Sequence, residues 1–530
     1  MRRLVIHDLL YSSLAQYGQL EVVSGPRRFT YQSVWERAVR VADRLTRMGV
    51  RRGAVIGVMD VNSHRCLELH YALSMVGAVI HTLNFRLAAA DLLYTITHAK
   101  DEWLFVWEGF AGPVDKLRDQ FPNWVWLTDG DSGGAREGDR TYEALVAEGR
   151  LVVPDQANRV AEDDPYSIFY TTGTTGRPKG MRYAHRDILL APLQIANHLA
   201  LHQTGARLSS ADTVMPLIPF FHIHAWGAAI FPPYIGAKLV LPERATVKEQ
   251  LELIDREGVT WSNMVPTQLH MLLDEAEAAD RALPLRVLTG GSLLTAGLAQ
   301  RAARSGVSFS LIYGGSDQLA TSISAIPRDM DPNPSSPDTL QALSTRTRPL
   351  PFVEVEVRDD SGLAVPQDGR TMGEIWVRSP WLPRGYLRDE EHSRAAYIDG
   401  WFRTGDLAVS FPDGSLYVVD RQKDAVKSGG EWIPTGVLEA VLSQHPGVAA
   451  VAVLAQPDDK WGERPIAVIQ ARTALSGADL RAFMDGEVAS GRIPRFWVPD
   501  RFQFAETLPL TSTGKIHKAA LRETLGLGEQ

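Results

Sequence analysis

Residues 170–180 read Tyr-Thr-Thr-Gly-Thr-Thr-Gly-Arg-Pro-Lys-Gly and follow the short apolar run Ser-Ile-Phe at 167–169. Four threonines, three glycines and one lysine fall within these eleven positions. Glycine lets backbone N–H groups turn towards an oxyanion, and hydroxyl groups add donors with little bulk. Lys179 supplies a positive charge that a phosphate neutralises, so the stretch predicts a phosphate-binding loop. It is not a Walker A loop, because Gly180 stands where that loop has Ser or Thr. A polar hairpin tip is the alternative.

The composition excludes several classes of protein. A chain of 530 residues is longer than one hydrophobic core usually supports, so we expect two or more domains. The net charge of −8 disfavours a general affinity for nucleic acid. Cys66 is the single cysteine, which excludes an internal disulfide and fits a reducing compartment.

No segment has the pattern of a signal peptide or a membrane span. The N-terminus is basic, but its apolar run Leu4-Val5-Ile6 breaks after three positions. The most hydrophobic internal stretch, 228–241, is interrupted by prolines, a glycine and a lysine and is too short to cross a bilayer. We therefore expect a cytoplasmic protein without an integral membrane segment.

Helix and strand patterns alternate in the first part of the chain. Thr30 is placed to cap a helix whose apolar residues recur at helical spacing as far as Met48. A strand at 54–59, a helix beginning at Ser63 and a strand at 78–83 follow. This rhythm predicts an α/β fold with a parallel sheet packed by helices.

The pattern changes twice towards the C-terminus. Between about 349 and 420 there are short β runs, such as 353–357 and 373–377, with turn residues at 359–362 and 413–414. This texture predicts a small β subdomain. After Asp420 the pattern returns to βα units, with a helix near 437–442 and a strand near 449–454.

Five motifs then occur in a recognisable order. The glycine-rich loop is followed by Tyr-Ile-Asp-Gly-Trp-Phe-Arg-Thr-Gly-Asp at 397–406, Asp-Arg-Gln-Lys-Asp at 420–424, Lys-Ser-Gly-Gly-Glu-Trp-Ile at 427–433 and Leu-Pro-Leu-Thr-Ser-Thr-Gly-Lys at 508–515. Together they resemble the adenylate-forming enzymes, the acyl-CoA synthetase and luciferase superfamily, and most of all its fatty acyl-CoA and aryl-CoA ligases.

The resemblance implies a large domain and a small one. The large adenylation domain would span 1–422, with βα-layered subdomains and a β subdomain at 350–420. The small, mobile α+β domain would span 423–530. Lys423 matches the hinge residue between them. The resemblance also implies ATP and Mg²⁺, a carboxylic acid substrate and CoA as co-substrate; a homodimer stays open.

The resemblance assigns roles residue by residue. Lys515 matches the catalytic lysine that acts on the carboxylate and the α-phosphate, and His222 and Thr171 are further catalytic candidates. Asp406 matches the carboxylate that binds the ribose hydroxyls, and Arg421 the arginine that contacts the nucleotide. The full set of candidate nucleotide-binding residues is Thr171, Thr172, Gly173, Thr174, Thr175, Gly176, Lys179, Gly290, Gly291, Ser292, Tyr313, Gly314, Ser316, Asp406 and Arg421.

One motif departs from the family pattern. The family has Tyr-Gly-x-Thr-Glu, whose threonine contacts the α-phosphate and whose glutamate holds Mg²⁺; this chain has Tyr-Gly-Gly-Ser-Asp at 313–317. Ser316 keeps the hydroxyl, and Asp317 keeps the charge on a side chain one methylene shorter. We expect Asp317 to be the Mg²⁺ ligand and Gly315 to widen the acyl pocket.

The segment Pro-Phe-Phe-His-Ile-His-Ala-Trp-Gly at 219–227 resembles the acyl-pocket segment of fatty and aryl acyl-CoA synthetases. His222 and Trp226 are the candidate pocket residues, although a buried structural Trp226 is an alternative. The His-x-His pair has no accompanying Cys or carboxylate cluster, which disfavours a metal site. Without an acidic residue to bind an α-ammonium group, the segment favours an apolar aliphatic or aryl acid over an α-amino acid.

The second half-reaction would use the small domain. Its loop at 427–432 matches the segment that lines the pantetheine tunnel, and the candidate tunnel residues are Lys427, Ser428, Gly429, Gly430 and Trp432. Rotation about Lys423 would exchange this loop for the Lys515 loop at the active site.

Three functions remain open from the sequence. The first is an acid–CoA ligase that works through an acyl-adenylate. The second is an ATP-dependent diazotase that activates nitrite for transfer to an aromatic amine, since one fold supports several chemistries. The third is a nucleotide-binding relative without catalysis, which the intact Lys515 and phosphate loop disfavour.

Overall fold

A computed structural model describes residues 3–110, 118, 120–121, 123–128, 140–171, 177–509 and 516–527. Its strands, in chain order, are β1 (Glu21–Ser24), β2 (Arg27–Thr30), β3 (Val55–Met59), β4 (Val79–Thr82), β5 (Trp103–Trp107), β6 (Trp124–Leu127), β7 (Pro165–Tyr170), β8 (Gly180–Ala184), β9 (Thr213–Pro216), β10 (Lys238–Leu241), β11 (Trp261–Met264), β12 (Arg286–Gly290), β13 (Ser308–Gly315), β14 (Leu319–Ile323), β15 (Arg348–Pro349), β16 (Glu354–Arg358), β17 (Met372–Arg378), β18 (Tyr397–Ile398), β19 (Trp401–Ser410), β20 (Leu416–Arg421), β21 (Val426–Ser428), β22 (Glu431–Ile433), β23 (Val448–Asp458), β24 (Gly462–Ala471) and β25 (Arg501–Phe504).

Its right-handed α-helices are α1 (Ile6–Tyr17), α2 (Tyr31–Arg47), α3 (His64–Val76), α4 (Ala89–Ala99), α5 (Tyr142–Glu148), α6 (His185–Leu201), α7 (Phe231–Ile235), α8 (Val247–Glu257), α9 (Pro266–Ala278), α10 (Ala296–Arg304), α11 (Pro337–Thr345), α12 (Glu390–Ala396), α13 (Thr435–Leu442), α14 (Gly477–Ala489) and α15 (Lys518–Thr524). Short 3₁₀ turns lie at Glu108–Phe110, Asp155–Arg159 and Arg495–Trp497.

Two large sheets form the first part of the fold. One has nine strands in the order β15-β14-β13-β12-β11-β9-β10-β1-β2, and the other has six in the order β6-β5-β3-β4-β7-β8. The strands at the centre of each sheet pair in parallel, and the pairs at the sheet edges that include β2, β8, β14 and β15 are antiparallel. The α/β class with a parallel, helix-packed sheet is confirmed.

Local capping explains where the first helices begin. The Thr30 side chain accepts a hydrogen bond from Ser33 N at 3.2 Å, and Ser33 Oγ accepts one from Thr30 N at 2.9 Å, which closes a capping box before α2. Ser63 caps α3 with a single bond, because its side chain accepts a hydrogen bond from Cys66 N. Helix α3 is buried on every side and lies within a core that both large sheets share.

A third sheet, all antiparallel, follows the order β16-β17-β19-β18, with β20 paired to β19. It corresponds to the β subdomain expected at 350–420. A fourth sheet follows the order β22-β21-β24-β23, with β25 paired to β24. The chain passes from the third sheet to the fourth between Arg421 and Val426, and the predicted domain boundary at 422–423 falls within that interval.

The fourth sheet bears out the expectation after Asp420 in part. The helix near 437–442 and the strand near 449–454 are present as α13 and β23, but β23 pairs with β24 in a long antiparallel hairpin instead of leading into a further βα unit. Asp458 turns the chain, because its Oδ1 accepts hydrogen bonds from Lys460 N at 2.9 Å and Trp461 N at 2.8 Å. Within the fourth sheet, among the described residues, only β24, α14 and the parallel strand β25 make a βαβ unit.

In the part of the chain that the structure describes, no helix combines the length and the apolar character needed to cross a membrane.

Candidate active site

The phosphate loop joins β7 to β8. Thr171 and Lys179 pair at its base: Thr171 N donates to Lys179 O at 2.9 Å, and Lys179 N donates to Thr171 Oγ1 at 3.1 Å. Residues 172–176, which include the candidates Thr172, Gly173, Thr174, Thr175 and Gly176, lie outside the described residues. Lys179 Nζ lies 4.9 Å from the ring centroid of Tyr386, within the range of a cation–π interaction.

Three tyrosines hold the connection between β13 and β14. The Tyr183 hydroxyl donates to Ser316 O at 2.7 Å, the Tyr397 hydroxyl donates to Asp317 O at 2.9 Å, and the Tyr386 hydroxyl lies 3.4 Å from Asp317 Oδ2. None of these tyrosines is among the site residues predicted from the sequence. Tyr397 begins the motif at 397–406, but no local signal marks its contact or those of Tyr183 and Tyr386, because each joins distant parts of the chain.

The surroundings of Asp317 suit a bound cation. Burial raises the pKa of its carboxyl above the usual range, and the positive charge of Arg421 acts in the opposite direction. The Asp317 carboxylate is an oxygen ligand of the kind that Mg²⁺ takes, so the residue present would fit this ion. Gly315 makes room for the carboxylate, because a Cβ at that position would come within 2.8 Å of Asp317 Oδ1.

Asp406 joins the nine-stranded sheet to the third sheet. Its Oδ2 accepts a hydrogen bond from the Tyr313 hydroxyl at 2.7 Å, and its Oδ1 lies 3.0 Å from Arg421 Nε. Arg421 is the direct partner of Asp406 in the β19–β20 pair, so the strand register places the two charges together. Burial raises the pKa of the Asp406 carboxyl, and Arg421 lowers it. The two candidate nucleotide residues therefore form one unit.

The candidate nucleotide-binding residues Gly290, Gly291 and Ser292 lie at the end of strand β12, next to β13. Gly290 is the last residue of β12 and pairs with Ile312 on β13, directly before Tyr313. Gly291, with φ of 79°, and Ser292 follow in the connecting loop. Ligands of open α/β sheets bind at the carboxyl ends of parallel strands, and these residues lie at such an edge.

The acyl-pocket segment has an unexpected backbone. Four consecutive residues that are not glycine, Ile223–Trp226, have φ of 49°, 49°, 54° and 52°, and Gly227 follows with φ of 86°. They form a short left-handed turn. The left-handed conformation costs about 1–2 kcal/mol for each such residue, and it is rarest for a β-branched one such as Ile223. Strain of this kind is kept where the surrounding structure imposes it, often at functional sites.

The turn presents Trp226 to the end of β12. The Trp226 side chain is half-buried, and its Cζ2 lies 3.9 Å from the position of a Cβ at Gly291. His222, directly before the turn, is also half-buried. Its ring packs against that of Phe221, with centroids 4.5 Å apart and the planes tilted by 51°. Within the described ranges, no group of three or more His, Cys, Asp or Glu side chains is arranged to hold a metal ion.

The candidate pantetheine loop is a tight hairpin. Gly429 and Gly430, with φ of 60° and 90°, connect β21 to β22, as a two-residue hairpin turn requires. Ser428 is buried and accepts a hydrogen bond from Arg464. Lys427 forms an ion pair with Asp360 in the turn after β16, and its Nζ lies 4.8 Å from the ring centroid of Trp432.

Several contacts cross the predicted hinge. Lys423 O accepts a hydrogen bond from Arg522 at 3.1 Å. Asp420, before the hinge, caps α13 after it: its Oδ2 accepts hydrogen bonds from Thr435 Oγ1 at 2.6 Å and Gly436 N at 3.2 Å. Lys515 lies outside the described residues.

Most of the chain matches two known protein families. Residues 11–387 match the AMP-binding enzyme family, and residues 437–515 match the AMP-binding enzyme C-terminal domain. A long-chain-fatty-acid–CoA ligase of Thermus thermophilus is 35% identical over 525 residues, which cover 97% of this chain and 94% of the relative. A medium-chain-fatty-acid–CoA ligase of Ectopseudomonas oleovorans is 33% identical over 551 residues, which cover 99% of this chain and 96% of the relative.

The fold has a close counterpart among solved structures. The crystal structure of an anthranilate CoA ligase in complex with anthranoyl-AMP superposes with a TM-score of 0.84 at 25% identity, covering 99% of this chain and 97% of that chain. The resemblance inferred from the five motifs is thereby confirmed. The chain belongs to the AMP-binding enzyme family of adenylate-forming enzymes.

Proposed function

We propose that this protein is an AMP-forming acid–CoA ligase for an apolar aliphatic or aryl carboxylic acid. It forms an acyl-adenylate from the acid and ATP with release of pyrophosphate, and then transfers the acyl group to the thiol of CoA with release of AMP. Two groups of side chains carry the proposal. In the first, Tyr386 lies between Lys179 and Asp317. In the second, the Tyr313 hydroxyl donates a hydrogen bond to Asp406, which is paired with Arg421.

These residues divide the work on ATP. Asp406, fixed by Tyr313 and Arg421, offers two carboxylate oxygens to the ribose hydroxyls. Lys179 and the loop that it closes bind the β- and γ-phosphates. Asp317 would hold Mg²⁺, which would neutralise charge at the phosphate oxygens. Positioned charges of this kind stabilise the negative charge that grows on phosphate oxygens during transfer.

The apolar lining of the acyl-pocket segment predicts its selectivity. Phe220 and Phe221 are buried, and the segment 219–227 contains no acidic residue. An α-ammonium group would be desolvated there without a partner, which is costly. We expect octanoate to react with a kcat/KM at least about 100-fold higher than 2-aminooctanoate, which has the same chain length. AMP release with each acid, with and without CoA, measures this.

The same assay separates the alternative chemistries. Mass spectrometry should find octanoyl-CoA only when ATP and CoA are both present. AMP release that depends on nitrite and an aromatic amine, and that does not respond to CoA, would favour the diazotase. Absence of pyrophosphate exchange with octanoate, benzoate and nitrite would favour the inactive relative. Equal rates for octanoate and 2-aminooctanoate would contradict the apolar pocket.

The proposed role of Asp317 as a Mg²⁺ ligand predicts how the reaction rate depends on the Mg²⁺ concentration. We expect Asp317→Ala to lose most adenylation activity and to raise the Mg²⁺ concentration for half-maximal rate about tenfold, the size seen when support of a metal is removed. Asp317→Glu should stay active, because Mg²⁺ keeps several waters and tolerates a direct or a water-bridged carboxylate. A Mg²⁺ titration of pyrophosphate exchange for both variants is the measurement.

Asp389→Ala is the control for loss of a nearby negative charge. Asp389 caps α12 and lies near Lys179, but it is outside the proposed Mg²⁺ site. The Mg²⁺ concentration for half-maximal rate in Asp389→Ala should match that of the unmodified protein. An unchanged Mg²⁺ dependence in Asp317→Ala would remove the ligand role. An inactive Asp317→Glu would indicate a site remodelled around the shorter carboxylate.

The remaining parts of the proposal concern assembly and location. The domain boundary at 422–423, the hinge at Lys423 and the pantetheine role of Lys427, Ser428, Gly429, Gly430 and Trp432 stay predictions. The passage from the third to the fourth sheet between Arg421 and Val426 supports the boundary. A homodimer and a cytoplasmic location also stay predictions.

A further inference from the structure

His224 is a buried histidine to which the chemistry above gives no role. It lies in the left-handed turn between the candidate pocket residues His222 and Trp226, yet only 1% of it is exposed. Its side chain therefore points into the protein rather than into the acid pocket. A buried imidazole inside a strained turn requires a physical reason.

The His224 side chain packs against strand β7. Its Nε2 lies 3.0 Å from Ser167 Oγ, and its ring centroid lies 4.7 Å from that of Phe169 and 5.8 Å from that of Tyr166. Nδ1 has no hydrogen-bond partner among the described residues, so Ser167 provides the hydrogen bond of this ring there. The ring also packs edge-on against the ring of His70, with centroids 4.3 Å apart. Strand β7 ends at Tyr170 and continues directly into the phosphate loop at Thr171.

The next residue of the turn is tied to the other large sheet. Ala225 O accepts a hydrogen bond from Asn263 Nδ2 at 2.7 Å, and Asn263 belongs to β11 of the nine-stranded sheet. Ser167 belongs to the six-stranded sheet. Two consecutive residues thus fasten the turn to both sheets, and the residue after them is Trp226.

We propose that His224 is a positioning residue for the acid: its bond to Ser167 holds the left-handed turn against the strand that leads into the phosphate loop. The turn can then keep its unfavourable backbone and present His222 and Trp226 at a fixed distance from the phosphate loop. The acid chain and the ATP phosphates are aligned because their two binding segments share this contact. The inference rests on the proposed acid pocket.

The test compares two buried serine–histidine contacts in the full-length protein. Ser167→Ala removes the contact with His224, and we expect kcat/KM for octanoate to fall about tenfold, as for loss of one buried hydrogen bond, with KM for ATP within about twofold. Ser74→Ala is the control: it removes the contact of Ser74 Oγ with His7 Nδ1, 2.8 Å long, between α1 and α3, and also the hydrogen bond that Ser74 Oγ accepts from His7 N. It should lower Tm and leave the octanoate kcat/KM within about twofold.

A second variant keeps the test independent of one substitution. His224→Asn retains a residue that tolerates the left-handed conformation but removes the ring from Ser167, Tyr166 and Phe169. We expect at least the loss seen in Ser167→Ala. The double variant should be no worse than His224→Asn alone, because both changes break the same contact.

Three results would overturn the inference. One is a Ser167→Ala variant that loses Tm like Ser74→Ala but keeps its octanoate kcat/KM. Another is additive loss in the double variant. The third comes from Trp226→Ala, which probes the acid pocket directly. If Trp226→Ala changes the octanoate kcat/KM and Ser167→Ala does not, the pocket stands and only the positioning role of His224 fails. If neither variant changes the octanoate kcat/KM, the acid pocket is misassigned and the inference fails with it.

Discussion

Replacement of Lys515 by alanine should abolish formation of the adenylate and leave ATP binding largely intact. The lysine matches the family residue that acts on the carboxylate and the α-phosphate, where charge grows only as the reaction proceeds. Its loss should therefore lower turnover more than affinity. We expect a cost of about 3–4 kcal/mol, or roughly 10²–10³-fold in rate, the size found for loss of one donor to a developing oxyanion.

Pyrophosphate exchange with octanoate measures the rate, and calorimetry measures the Kd for ATP. Lys248→Ala, an exposed lysine on α8, is the control for removing one positive charge and should behave like the unmodified protein. If Lys515→Ala keeps exchange within about tenfold of the unmodified protein, the catalytic role is misassigned. A large rise in the Kd for ATP would instead indicate a ground-state binding role.

Replacement of Lys423 by proline should separate the two half-reactions. Proline fixes φ near −65°, so rotation about φ at this position is lost. We expect adenylate formation to continue while thioester formation falls at least about 100-fold, because the thiol and the acyl-adenylate can no longer be brought into line. Pyrophosphate exchange reports the first step, and octanoyl-CoA formation in a single turnover reports the second.

Lys423→Ala is the control, since it removes the side chain and leaves the backbone free to rotate. It should support both half-reactions. Contacts across the hinge, from Asp420 to Thr435 and from Lys427 to Asp360, would have to break during the rotation. A parallel decline of both half-reactions in Lys423→Pro would show that Lys423 is not the hinge.

Features governed by neighbouring residues could be predicted from the sequence. The helix starts at Thr30 and Ser63 follow from side-chain caps that reach only three residues along the chain. The order of the five motifs identified the superfamily. The hairpin at Gly429 and Gly430 lies within a motif that the sequence already marked. After Asp420 the local pattern was not sufficient. It suggested βα units, but the chain turns at Asp458, and β23 and β24 form an antiparallel hairpin.

The sequence by itself determined the superfamily, and it marked the candidate phosphate loop and the charged candidates, because each of these depends on residues that are close along the chain. Only the tertiary structure brought Tyr183, Tyr386 and Tyr397 to the connection that carries Asp317. Tertiary structure also imposed the left-handed turn at 223–226, which no local preference favours. Both depend on side-chain contacts that join residues far apart in the sequence, such as Tyr183 with Ser316 and His224 with Ser167.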